Sequence, residues 1–161
     1  NTQGPLMMLY EDMEKFNIDV VGGLYWTKGN PSMPLLYGDP NKKRDAAEGM
    51  FKVRFPAKVQ KKRRSGKLNS DGSDWTDGEV VLCNGSGMGF TLFKLDIFKN
   101  PKLEKPFFKT LSDHGTTDKP GIRQYTQDLQ GMERMRELGY RVAIDTRVKL
   151  GHLDLRSGII Y

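Results

Sequence analysis

Two stretches of this chain repeat their apolar residues every three to four positions, and each leads into a short apolar run without that period. This alternation constrains the fold more than any other feature. In residues 6–17, Leu9, Met13 and Phe16 fall at i, i+4 and i+7, with Glu11, Asp12, Glu14 and Lys15 between them. That is one stripe of a short amphipathic helix, and Pro5 is acceptable near its first turn. In residues 126–138, Leu129, Met132, Met135 and Leu138 form a second stripe, with Thr126 fitting the N-cap and Gly139 the C-terminal cap. Ile18-Asp19-Val20-Val21 follows the first helix as a strand, Tyr140–Val148 follows the second, and Glu79–Cys83 is a further strand. Helices alternating with strands predict an α/β domain.

Glycine and proline mark where the pattern breaks. Gly22-Gly23 interrupts the first strand before Leu24-Tyr25-Trp26, which weakens it unless something approaches the backbone closely there. Thr91–Phe98 is apolar without a deciding period, and residues 99–125 read as a loop. Residues 41–78 are the most irregular part and read as a hairpin or long loop inserted in the domain, with Met50–Phe55 as a half-exposed strand.

The 161 residues suit a single domain, 1–161, with room for a sizeable core. One cysteine excludes a disulfide framework and any cysteine-rich zinc module. The longest apolar runs are strand-sized, well short of a membrane span, and the first residues do not form a signal peptide. A cytoplasmic protein is the expectation. The net charge of +6 is uneven: between Lys42 and Lys67 eleven Lys or Arg meet only Asp45 and Glu48, a local +9 that leaves the rest of the chain at −3. A general nucleic-acid-binding face would spread its basic residues more widely.

Three places could carry chemistry. Gly85, Gly87 and Gly89 follow a strand directly, allowing a ligand close to the main chain and N–H groups to face an anion. The spacing is neither the dinucleotide fingerprint nor a P-loop, and a tight bend between elements would look the same. Asp128 falls in the first turn of the second helix. There it either stabilises the helix through the dipole, by about 0.3–1 kcal/mol, or serves as a general base at an element end. His152, in Gly151-His152-Leu153-Asp154, is a surface or core histidine unless other residues complete a site around it.

The order of these segments resembles GT-A-fold glycosyltransferases, the family 2-like enzymes common in bacteria and phages. Asp19-Val20-Val21-Gly22-Gly23-Leu24-Tyr25-Trp26 is similar to the strand after that family's metal-binding motif. Gly85–Phe90 is similar to its glycine loop, Gln127-Asp128 stands where it has a Glu-Asp pair, and His152 matches its C-terminal histidine. The resemblance covers about residues 6–154, with 41–78 matching least. It implies a Rossmann-like GT-A fold and transfer from a nucleotide-sugar donor with inversion. Asp128 would be the catalytic base, with Tyr25, Trp26, Gly87, Met88, Gly89 and Gln127 as substrate-binding residues. A divalent cation, Mn²⁺ or Mg²⁺, would take His152 as one ligand.

The family's Asp-X-Asp motif should lie shortly before residue 6, where the chain almost begins. The expectation is therefore the acceptor-side, C-terminal part of a longer enzyme, missing an N-terminal segment or a partner chain, or else a diverged protein that lost the site. A different class is a non-catalytic module that grips nucleic acid or another polyanion through 42–67, since basic and aromatic residues together hold a strand. The two readings combine if the acceptor is itself anionic.

Overall fold

The computed structural model describes residues 4–26, 35–37, 80–114 and 122–160. The basic segment 42–67 and the expected strand at 50–55 lie outside the described residues. In chain order the elements are helix α1 (Pro5–Phe16) and strands β1 (Val20–Leu24), β2 (Leu36–Tyr37), β3 (Val80–Leu82), β4 (Gly85–Ser86) and β5 (Thr91–Phe93). A 3-10 helix (Leu95–Lys99), β6 (Leu111–His114), β7 (Ile122–Tyr125), helix α2 (Gln127–Glu137) and β8 (Val142–Lys149) follow.

The α/β class holds. Four strands form one mixed sheet in the order β3-β8-β1-β5, with β1 and β8 parallel and both outer strands antiparallel to their neighbours. Alternation along the two central strands sends side chains to opposite faces, and each face is covered. Val21 and Ala143 join Leu9 and Met13 of α1 in one apolar cluster. Val20, Val142 and Ile144 join Met132 and Met135 of α2 in the other. Parallel strands covered on both faces read as continuous apolar runs, as 142–144 does. No helix among the described residues is long and apolar enough to cross a membrane.

Helix α1 starts with Pro5 at its first position, where the missing N–H costs nothing. It ends on Asn17 in the left-handed region (φ 49°), which turns the chain into β1. Two positions differ from the simple stripe. Phe16 is exposed, under the Lys15 ammonium, while Asp12, placed by periodicity among the polar positions, is 3% exposed. Helix α2 has Thr126 at its N-cap without a side-chain capping bond, and Gly139 follows its end at φ 93°.

Two expectations about strands are corrected. β1 runs unbroken through Gly22 and Gly23, because both glycines are pressed by neighbours. A Cβ on Gly23 would lie 2.9 Å from the Val148 carbonyl oxygen and 3.0 Å from Leu150. The region 99–125 is not all loop: β6 and β7 pair antiparallel, Leu111 opposite Tyr125 and His114 opposite Ile122. Their sequences, Leu-Ser-Asp-His and Ile-Arg-Gln-Tyr, lack an apolar alternation to announce them.

Candidate functional site

Open α/β sheets leave a crevice beyond the carboxyl ends of their parallel strands, and here that crevice is a cavity of about 540 Å³. Tyr25 enters it from the end of β1, and Leu150, Gly151 and His152 from the end of β8. Gly89 and Phe90 come from the glycine loop, Thr126, Asp128 and Leu129 from the start of α2, and Leu35 and Tyr37 from β2 and its approach. The walls are largely aromatic and aliphatic, with Asp128 and His152 as the groups that can exchange protons. No Lys or Arg is among the described residues that line it.

Tyr25 ties three of these segments together. Its phenol end presses on Gly87, where a Cβ would overlap the phenol oxygen and ring carbons, so any larger residue there would have to displace the ring. Its hydroxyl oxygen accepts the Gly89 N–H at 3.1 Å. The ring stands edge-on to His152, with centroids 6.0 Å apart. Burial lifts the Tyr25 phenol above its ordinary value and the Asp128 charge adds to that, against the opposing Gly89 hydrogen bond. The phenol therefore keeps its proton across the neutral range.

His152 Nδ1 lies 3.0 Å from the Trp26 carbonyl oxygen. A carbonyl only accepts, so Nδ1 carries the proton, and in the neutral imidazole Nε2 holds the lone pair. That tautomer suits a proton acceptor or a metal ligand. Among the described residues, however, no group of three or more His, Cys, Asp or Glu side chains could hold a metal ion. His152 is one donor and does not make a cation site with the residues described. Asp128 is half-buried, and one carboxylate oxygen accepts the Leu129 N–H at 3.0 Å.

Of the residues singled out in the sequence, Tyr25, Gly89, Asp128 and His152 converge on the cavity. Gly87 lies beneath Tyr25. Trp26 contributes its carbonyl to His152, while its ring and the Met88 side chain pack against the α2-side core. Gln127 faces away, its amide oxygen accepting the Thr110 hydroxyl at 3.0 Å. Tyr37, Phe90, Leu129 and Leu150 line the cavity without having been signalled as site residues. Leu129 fits a helix stripe and Leu150 ends a strand, so their sequence positions read as core.

Neither a family model, a curated protein nor a solved structure matches this chain.

Proposed function

We propose that this chain supplies the acceptor side of a glycosyltransferase, with the GT-A arrangement as the finer reading of its α/β frame. One observation carries the reading. Tyr25, Gly89, Asp128 and His152, drawn from four separate segments, meet around one cavity beyond the parallel pair. Their types fit the chemistry: an aromatic ring for the apolar face of a sugar, a carboxylate for a hydroxyl proton, and an imidazole of fixed tautomer beside them.

In this mechanism the acceptor hydroxyl oxygen attacks the anomeric carbon of a nucleotide sugar. Its proton passes to the Asp128 carboxylate, and the bond to the nucleoside diphosphate breaks with its electron pair leaving on the phosphate oxygen. Attack opposite the leaving group inverts the configuration. Tyr25 and Tyr37 hold the sugar rings and keep water out, and Asp128 is aimed by its place in the first turn of α2. A bound Mn²⁺ or Mg²⁺ would neutralise the departing diphosphate. His152 Nε2 is a donor that the described residues would offer such an ion.

The test is release of nucleoside diphosphate by the full-length protein from a panel of nucleotide sugars, with neutral oligosaccharides and anionic polymers as acceptors. Asp128→Asn is expected to lower transfer by about 10²–10⁴-fold, the usual worth of a general base. It should cost no more than about 2 kcal/mol of stability, the limit for a carboxylate at a partly buried helix start. Transfer at the wild-type rate by this variant would remove Asp128 from the role.

A further inference from the structure

β1 and β8 keep a one-to-one parallel register from Val20–Val142 to Gly23–Asp145, and then the register jumps so that Leu24 faces Lys149. Thr146, Arg147 and Val148 are thus extra residues on β8, bulged against Gly23. Had the one-to-one register continued, Val148 would stand beside Trp26. With the extra residues, pairing resumes through the Leu150 N–H to the Leu24 carbonyl at 2.8 Å, and His152 reaches the Trp26 carbonyl. Because the insertion is odd in number, it also reverses the face that each later side chain meets.

Charge holds this bulge. The Arg147 guanidinium donates from Nε to Asp145 Oδ1 at 2.9 Å and from Nη2 to Asp145 Oδ2 at 2.8 Å. The same Nη2 reaches Asp12 of α1 at 2.8 and 2.9 Å, and the Arg147 main-chain N–H closes on Asp145 Oδ1 at 2.8 Å. Asp145 is 0% exposed and Asp12 3%, whereas the Arg147 side chain is 39% exposed. Two buried carboxylates on different elements therefore converge on the cation at the middle of the bulge. Stabilising the sheet alone would not require them there, since a regular strand has no bulge to restrain. Removing Arg147 leaves both acids buried without their cation, which is strongly unfavourable.

We propose that Asp12, Asp145 and Arg147 are positioning residues that hold the β8 bulge and thereby set His152, in its Nδ1-protonated form, at the cavity wall. This rests on the reading of His152 as a site residue, but its test needs no turnover. The readout is the ¹⁵N signature of the His152 imidazole, taken at about pH 8.5, where histidine is ordinarily neutral. The wild-type chain should show the Nδ1–H tautomer. Arg147→Ala should shift the population toward the Nε2–H form that free histidine favours, and Arg147→Lys, which keeps charge but loses the fork, should give an intermediate mixture.

Arg141→Ala is the control for loosening of the strand as a whole. Arg141 ties the start of β8 to the end of α1 through the Phe16 and Asn17 carbonyls, at 2.6 and 3.1 Å. It should lower the melting temperature and leave His152 in the wild-type form. If Arg147→Ala does not fold, the Lys variant decides: a wild-type tautomer in it overturns the proposal. So does a folded Arg147→Ala with an unmoved signature, or an equal shift in Arg141→Ala. A shifted signature in a protein inert toward every nucleotide sugar would uphold the positioning role and remove the transferase reading.

Discussion

At the scale of single residues, the site depends on the hydroxyl end of one aromatic ring pressed against one glycine. Tyr25 could be read in the sequence as a ring for stacking, and Gly87 as part of a loop that lets a ligand approach. The structure gives that close approach to Tyr25 itself, a contact no local spacing reveals because the two residues lie on different elements. Gly87→Ala should therefore displace the Tyr25 ring and break its bond to Gly89, at the cost of about 1–3 kcal/mol typical of overpacking. Urea denaturation of both single variants and the double variant Tyr25→Ala/Gly87→Ala measures this. The added methyl should cost almost nothing once the ring is gone, giving a coupling of about 0.5–3 kcal/mol. Asp128 and His152 were legible by type and place, since one opens a helix and the other follows a strand. Tyr37 and Phe90 were not, because an aromatic residue beside an apolar run looks the same whether it faces a core or a cavity.

At the scale of elements, periodicity found both helices and the central strands but misjudged what one helix turns inward. Asp12 belongs by spacing to the polar side of α1. Its burial makes sense only once Arg147 and Asp145 of β8 are placed against it, more than 130 positions away. Burial, with the bond to Asp145, raises the Asp12 carboxyl from 3.8 to about 6, while Arg147 opposes. Asp145 lies below its ordinary value, because bonds from Arg147 and Asp12 outweigh the effect of burial. The signs are opposite. The folded chain keeps the Asp12 proton to about pH 6 and the unfolded chain loses it near 4, so this contribution is complete in acid and is lost as pH rises through 6. Asp145 contributes throughout the neutral range and fails only on acidification. Asp12→Asn keeps an acceptor for Arg147 and a donor for Asp145 but cannot ionise. As pH rises from 4 to 7.5, denaturant midpoints should shift in favour of that variant relative to wild type. The β6–β7 pair was missed for the converse reason: it is set by pairing between two polar tetrapeptides rather than by an apolar face.

At the scale of the whole molecule, the charge carried by the sequence differs from that of the described cavity lining. The +9 of residues 42–67 is a property of the sequence, whereas the described lining of the cavity carries one carboxylate and no Lys or Arg. Attraction to a polyanion should therefore reside in the basic segment and the chemistry at the cavity. Replacing Lys61, Lys62, Arg63 and Arg64 by serine should bring elution from heparin to lower salt and flatten the salt dependence of binding, because fewer counterions are released. An unchanged elution would place the anion-binding surface elsewhere. The α/β class could be read from alternation alone. The strand order could not, because it depends on which long connections return to the same edge.

The press of the β8 bulge on Gly23 also bears on how such a chain can vary. A side chain at position 23 and Val148, the last residue of the bulge, cannot occupy the same space. In descendants of this sequence, loss of the bulge would release position 23 to any strand-forming residue, while retention would forbid every residue but glycine. The identity of one residue and the length of a strand more than 120 positions later should therefore be inherited as a single character.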